Sequence, residues 1–344
     1  ELRVQEIKKR ERRRNPVAPF TTSSMQQDAS RKLGFTSRKT MMVAQQIYEG
    51  VDLGRRGPVG LITYMRTDST RLSDLALEEA RGYVETAFGA AYLPEKPKIY
   101  AAGKKAQDAH EAIRPTSVEN TPEIVAKYLS RDQLRLYTLI WQRFVASQMM
   151  PAVFDTVSIG IAAGKRYVAR ASGSRLKFPG FLAVYEDSKK EKDVLLPEIA
   201  EGDALSLVRI LPEQHFTEPP PRYNEASLVK TLEEKDIGRP STYAPIIETI
   251  LARGYVVRQE KHFQPTDLGF LVNDMLEEHF KDIVDVKFTA GLENELDEIA
   301  EGKVDKNELL RGFYEPFEKT LEKAEEVIGE IEVPEEVSDV VCEK

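Results

Sequence analysis

Gly60-Leu-Ile-Thr-Tyr64-Met-Arg66-Thr-Asp68-Ser-Thr70 is the stretch that decides how this chain is read. Leu61 and Ile62 are β-prone, and Pro58 and Gly60 punctuate its start, so it predicts a strand. Alternation then puts Ile62, Tyr64, Arg66 and Asp68 on one face and Leu61, Thr63 and Met65 on the other. A phenol titrates near pH ~10 and is a weak nucleophile at neutral pH unless a cation stabilises its anion. Arg66 stands on the correct face and cannot lose its charge. Spacing alone leaves two readings open: an edge-strand Tyr–Arg pair, or a tyrosine nucleophile beside its cation.

Outward from this stretch, the chain is mainly helical over residues 20–150. Thr21 to Ser24 offer N-cap residues for a helix over Met25–Leu33 that Gly34 ends, and Thr40–Tyr48 forms a second. Ser73–Phe88 is a third, and Thr121–Met150 holds two more around Leu136, Trp141 and Phe144. From Ala152 the period becomes 2, with strands at Val153–Ile161, Tyr167–Arg170, Phe181–Tyr185 and Ala204–Ile210. Pro219-Pro220-Pro221 ends the β-rich part as a stiff linker. Helices return at Ala226–Lys235, Tyr243–Arg253, Leu268–His279, Ala290–Ala300 and Lys306–Ile328, with Tyr255–Asp267 as a β-hairpin between the second and third.

The fold class expected is therefore multidomain α+β. Its parts are an entry segment (1–19), a helical domain carrying Tyr64 (20–150), a β-rich domain (151–221), a helical base with a winged-helix pattern (222–332) and a short tail (333–344).

A length of 344 residues, 41% hydrophobic and 31% charged, describes a multidomain globular protein. No run approaches the ~18 apolar residues of a membrane span, and the N-terminus has no signal-peptide core, so a cytoplasmic location is expected. Cys342 is the single cysteine, which rules out intrachain disulfides and multi-cysteine metal sites. The net charge of −8 argues against a polyanionic partner only until its distribution is read. Residues 301–344 hold 14 acidic and 6 basic residues, while residues 1–40 hold 11 basic and 4 acidic. A nucleic-acid footprint is thus local, and whole-chain charge hides it. Lys8-Lys-Arg-Glu-Arg-Arg-Arg14 reads either as a solvated linker or as a direct DNA contact.

Two further clusters carry chemistry. Gln107, Asp108, His110 and Arg114 form a dense polar group before Pro115, with Arg114 one helical turn beyond His110 if that stretch is helical. The cluster reads as a phosphate or catalytic site, or as ordinary structure. Gly238-Arg-Pro-Ser-Thr-Tyr-Ala-Pro245 joins two helices, with Ser241 or Thr242 as N-cap, Arg239 before it and Arg253 closing the second helix. A helix N-terminus of that kind offers N–H groups to a phosphate.

The Tyr64 stretch resembles the nucleophile motif of type IA DNA topoisomerases of the bacterial topoisomerase I kind. Ala18–Gln27, Gln107–Pro115, Glu225–Lys230 and Ile237–Ala244 resemble further motifs of that family, in its order, over about residues 15 to 330. The resemblance implies part of a toroid and a Tyr64 that attacks DNA and becomes joined to a 5′-phosphate. It also implies Arg66 beside the scissile phosphate and His110 as a phosphate contact. Asp68 and Arg114 near the nucleophile, with Arg239, Ser241, Thr242 and Arg253 on the base, would meet single-stranded DNA.

By the same resemblance, the substrate is negatively supercoiled duplex DNA in the nucleoid, relaxed without ATP, and no Walker A sequence is present. The family's magnesium is held by an N-terminal Toprim domain with no counterpart here, so no metal ligand is expected in this chain. Cys342 resembles the first cysteine of a severed zinc ribbon. The expectation is a fragment that binds single-stranded DNA but does not complete relaxation alone. Competing readings are a non-catalytic single-stranded DNA-binding module, a tyrosine recombinase, which would leave a 3′-phosphotyrosine, and a winged-helix regulator, which leaves the Tyr64 stretch unexplained.

Overall fold

The computed structural model describes residues 2–101, 110–185 and 193–328. Gln107, Asp108, Cys342 and the expected 333–344 tail lie outside the described residues.

Along the chain come β1 (Leu2–Arg14), α1 (Thr22–Asp28), α2 (Ser37–Glu49), β2 (Val51–Asp52), β3 (Pro58–Val59), α3 (Asp74–Phe88), α4 (Pro122–Val125) and α5 (Arg131–Ser147). Next are β4 (Ala152–Ala163), β5 (Tyr167–Phe178), β6 (Ala204–Leu205), α6 (Glu225–Glu234), α7 (Tyr243–Ala252), β7 (Val256–Gln259) and β8 (His262–Pro265). The last four helices are α8 (Asp267–His279), α9 (Lys281–Val284), α10 (Val286–Ala300) and α11 (Lys306–Val327). Two compact units result. One comprises Glu1–Met25, Arg31–Leu33 and Met42–Pro220; the other comprises Gln26–Ser30, Gly34–Met41 and the chain from Pro221 onward.

The first unit joins a helical body to an antiparallel sheet of order β5-β4-β1-β6. The run Lys8–Arg14, weighed as a linker or a DNA contact, is the second half of β1 and pairs residue by residue with β4. β6 meets β1 at Leu2 and Arg3, and Val4 and Ile7 bond to the turn just before β6. From Lys8 onward β1 has no second neighbouring strand among the described residues. Lysine and arginine on such an edge keep other strands from adding to it.

Two expected strands fail for identifiable reasons. Phe181–Tyr185 gives way to a 3₁₀ turn over Gly180–Ala183. Gly180 adopts φ 50° with its Cα pressed against Met150 and Pro151; a Cβ there would meet their carbonyl oxygens at 2.5 and 2.4 Å. Only glycine allows that turn, and it overrides the apolar run. Ala204–Ile210 pairs only over Ala204–Leu205, because Leu205 already lies opposite Leu2 at the start of β1. The antiparallel register gives the following residues no β1 partner.

In the helical body, α5 buries Leu136, Tyr137, Ile140 and Phe144 completely. A capping box between Ser130 and Gln133 fixes its start. Its polar atoms are spent on the chain that precedes it: Tyr137 donates to the Asn120 carbonyl at 2.6 Å and Trp141 to that of Val118 at 2.9 Å. Arg143 donates to the Ala18 carbonyl at 2.6 Å with its guanidinium 4.7 Å from the Phe20 ring centroid.

The second unit packs α6, α7 and the β7–β8 hairpin around Val229, Leu232, Tyr243, Ile247 and Phe263. Helix, turn, helix and hairpin follow in the expected order. Glu225, at the start of α6, is buried, and it accepts from the Ser37 backbone N–H at 3.1 Å, the Ser37 hydroxyl at 2.7 Å and the Arg258 guanidinium. A carboxylate thus caps the first residue of α2 from another element, where the helix dipole favours a negative charge.

Candidate active site

Tyr64 does not sit in a regular strand as expected. The stretch from Gly60 is extended but unladdered, with one isolated bridge, Ile62 to Pro115. Side chains and separate backbone groups hold it instead. Leu61 N–H donates to the Ile47 carbonyl at 3.0 Å, and Gly60 passes so near Tyr48 that a Cβ would lie 2.6 Å from the Tyr48 carbonyl oxygen. Thr63 N–H donates to the Arg114 carbonyl at 2.9 Å, its hydroxyl donates to the Ala112 carbonyl at 2.7 Å, and Arg114 N–H returns a bond to that hydroxyl at 3.0 Å.

Beyond the tyrosine, the fully buried Thr22 hydroxyl lies 2.8 Å from the Met65 carbonyl and 3.1 Å from that of Thr67, and Thr67 N–H donates to it at 2.9 Å. Each such bond contributes about 0.5–1.5 kcal/mol net, and leaving one unmade in a buried site costs more.

These anchors fall on one side of the stretch, and the alternation follows from them. Met65, Thr67 and Ser69 are buried, while Tyr64 and Arg66 are exposed and Asp68 half-exposed. The expected shared face of Tyr64, Arg66 and Asp68 is present. Ile62 leaves it, being 1% exposed, because Leu61 and Ile62 both enter the core before the alternation begins.

The Tyr64 ring is flanked by two others. Tyr48 meets it edge-on with centroids 5.5 Å apart, and the His110 ring lies tilted at 5.4 Å. The hydroxyl-bearing ring is thereby held at its apolar faces while 36% of the residue stays open. Among the described residues, the Arg66 and Asp68 side chains make no ion pair or hydrogen bond, with each other or with anything else. Arg66 is thus an exposed cation without an ion-pair partner among the described residues.

Other tyrosines contrast with this one. Tyr100 donates to the Ser147 carbonyl at 2.8 Å, and burial pushes its phenol up to about 12. Burial likewise pushes Tyr137 well above the ordinary phenol range, and its hydroxyl is also committed. Neither can offer an oxygen to a substrate.

Arg114 differs from expectation. Residues 110–116 are extended rather than helical, so Arg114 is not one turn from His110. Its guanidinium is paired with Glu111 at 2.7 Å and donates to the Pro115 carbonyl at 2.9 Å. The proline after it, together with the bridges of Ile113 to Phe20 and Pro115 to Ile62, makes this segment the strut that carries Thr63 and His110.

Arg239, Ser241, Thr242 and Arg253 belong to the second unit. Ser241 and Arg253 are exposed. Arg239 is largely enclosed: it donates to Asp297 at 2.7 Å, with Glu293 at 3.7 Å, both on α10. Burial works against its charge, but these carboxylates more than compensate and hold its pKa above the usual arginine value. The Thr242 hydroxyl accepts from Arg239 N–H at 2.7 Å. The α7 N-terminus is also less open than its sequence suggests, since Thr242 and Tyr243 N–H both donate to the Arg239 carbonyl and Pro245 has no N–H. Arg239 and Thr242 therefore shape the turn, while Ser241 within it and Arg253 at the far end of α7 are exposed.

Sequence reasoning missed Tyr48 as a neighbour of Tyr64, Thr22 as a clamp, and Glu225 as a buried anchor. Only Tyr48 left a local signal, an exposed aromatic ending α2 a short hairpin before the stretch.

With this geometry in view, residues 1–311 match the family model described as DNA topoisomerase. Full-length topoisomerase I from Thermotoga maritima, solved in a monoclinic crystal form, superposes with a TM-score of 0.82 at 42% identity. The match covers 93% of this chain and 52% of that one, so this chain spans about half the length of the Thermotoga protein.

Proposed function

The chain belongs to the type IA DNA topoisomerase family, and from that premise we propose that Tyr64 is the nucleophile that opens one DNA strand. The observation that carries the reading is the exposed Tyr64–Arg66–Asp68 side of a stretch otherwise locked into the core. The Tyr64 oxygen gives up its proton and bonds to the phosphorus as the bond from phosphorus to the 3′-oxygen breaks. The 5′-phosphate stays on the tyrosine and the 3′-oxygen takes up a proton. The reverse transfer reseals the strand, so the phosphodiester energy is kept and no nucleotide is consumed.

Arg66 faces the charge that builds on the phosphate, where a fixed cation lowers the barrier most. His110, with its ring against Tyr64, is a phosphate contact on the nucleophile's flank. Asp68 is free to orient the strand's approach or to relay a proton. Ser241 and Arg253 extend single-strand binding onto the second unit, and Arg114, Arg239 and Thr242 support it through the positions they hold. Magnesium belongs to the family's chemistry. Among the described residues no group of three or more His, Cys, Asp or Glu side chains converges to hold one, and no step here runs through it.

Single-stranded DNA is the immediate partner. Relaxation of negatively supercoiled duplex is the activity we assign to the complete family protein, in the cytoplasm and on the nucleoid. Among the described residues no helix is long and apolar enough to cross a membrane.

Polarity of attachment tests this. The assay uses an oligonucleotide radiolabelled at either end, with this chain alone and with the chain grafted into Thermotoga maritima topoisomerase I in place of the matched segment. Label on the 3′ portion should remain with denatured protein and label on the 5′ portion should not. The opposite pattern would mean a 3′-phosphotyrosine and would refute the family mechanism for this site. Binding without any adduct in the graft would favour a non-catalytic DNA-binding module.

A further inference from the structure

The two faces of the β5-β4-β1 sheet carry different charge. On one face the strand register brings Lys8 beside Ser158 and Ser172, Arg10 beside Thr156 and Ser174, and Arg170 beside Gly160 and Glu6. Arg12 continues this face, its guanidinium 4.7 Å from the Phe154 ring centroid. A groove of about 580 Å³ runs here, and Glu6, paired with Lys8 at 2.8 Å, is the single carboxylate among its described lining residues. The opposite face mixes Lys9, Arg13 and Arg175 with Glu11 and Asp155, and both carboxylates are engaged by Lys177. The Arg10 and Arg170 side chains are exposed, and among the described residues neither makes a hydrogen bond or an ion pair. The Ser174 hydroxyl oxygen is buried without a partner there. This face thus carries Lys8, Arg10, Arg12 and Arg170 with a row of hydroxyls against the one carboxylate Glu6. The other two acids of these strands, Glu11 and Asp155, lie on the opposite face.

We infer that this face is a second nucleic-acid surface, one that takes the sugar-phosphate backbone of a single strand other than the one Tyr64 attacks. The inference rests on the DNA reading above. Same-face residues recur about every 6.8 Å along a strand, roughly twice the ~3.4 Å charge spacing of one strand in a stacked duplex, which suits an unstacked, stretched strand. Arginine forks and hydroxyls bind phosphate regardless of base, so recognition is blind to sequence. A surface of that kind suits the strand that must pass through a break.

The test is equilibrium binding of a fluorescent oligothymidylate to the chain across a salt series, with the Lys8→Gln/Arg10→Gln/Arg170→Gln variant beside the parent. All three substitutions are at exposed strand positions, and an unchanged circular-dichroism melt confirms folding. The variant should bind more weakly, and its slope of log K against log salt should fall by about 2, since each single-strand phosphate contact contributes about 0.7. In a second arm, Ser172→Cys in a Cys342→Ser background carries an azidophenacyl group, which should crosslink to the oligonucleotide. An unchanged slope with no crosslink to single-stranded DNA overturns the inference, including where duplex DNA or an acidic peptide crosslinks instead. If the parent chain binds no oligonucleotide at any salt, the DNA reading itself has failed, and that outcome is distinct.

Discussion

Tyr64→Phe should abolish the covalent DNA–protein adduct while leaving single-strand affinity nearly unchanged. The substitution removes one oxygen and keeps the ring, so the edge contact to Tyr48 and the tilted contact to His110 both survive. Met65, Thr67 and their bonds to Thr22 lie on the buried side and are untouched. Among the described residues, neither Tyr48 nor Tyr100 is set to take its place. The Tyr48 ring is turned edge-on beside Tyr64 rather than into its place, and buried Tyr100 already donates its hydroxyl to a carbonyl. Adduct yield in the grafted protein, measured on denaturing gels after equal binding, checks this, and residual adduct at the parent level would remove Tyr64 from the mechanism.

Arg66→Ala should lower the rate of adduct formation by about 10²–10³, the usual cost of removing one fixed donor aimed at developing charge, or about 2.7–4 kcal/mol of barrier. The loss should fall on the rate more than on binding, because one exposed cation adds little to a strand held by many contacts. Arg66 makes no hydrogen bond or ion pair among the described residues, so its removal breaks none and leaves no buried group unsatisfied. Lysine at this position should recover part of the rate, since it keeps the charge but not the planar fork. Single-turnover cleavage at saturating oligonucleotide separates these quantities. A rate within threefold of the parent would show that Arg66 is a bystander on the exposed face.

The exposed face of the Tyr64 stretch was legible because alternation is a local property. Once Met65, Thr67 and Ser69 are seen to be the inward residues, Tyr64, Arg66 and Asp68 have to face out. What held the stretch was not legible. Thr22 and the 112–116 strut lie more than forty residues away, and no spacing rule reports a side chain bonded to a distant carbonyl. The helices and the hairpin of the second unit followed from capping residues and periodicity, as the Asn224–Ser227 capping box of α6 illustrates.

Charge misled in both directions. Lys8–Arg14 read either as a solvated linker or as a DNA contact. Neither reading foresaw a paired strand, because strand propensity takes no account of an edge that gains from cations. Arg239 looked like a free phosphate contact, yet Asp297 and Glu293 of a helix more than fifty residues later enclose it. The α7 N-terminus looked open to an anion until the Arg239 carbonyl took two of its N–H groups. A sequence displays donors; only the fold shows which of them are already used.

If the Tyr64 oxygen takes the phosphate, the nucleotide stays on Tyr64 through digestion of the denatured adduct. Trypsin should release Tyr64 in the peptide Gly57–Arg66, in which it is the single tyrosine. Mass spectrometry of the nuclease-trimmed, trypsin-digested adduct should find the nucleotide mass on that peptide, fragmenting to Tyr64. The same mass on a peptide carrying any other tyrosine, or on a serine or histidine, would contradict the account.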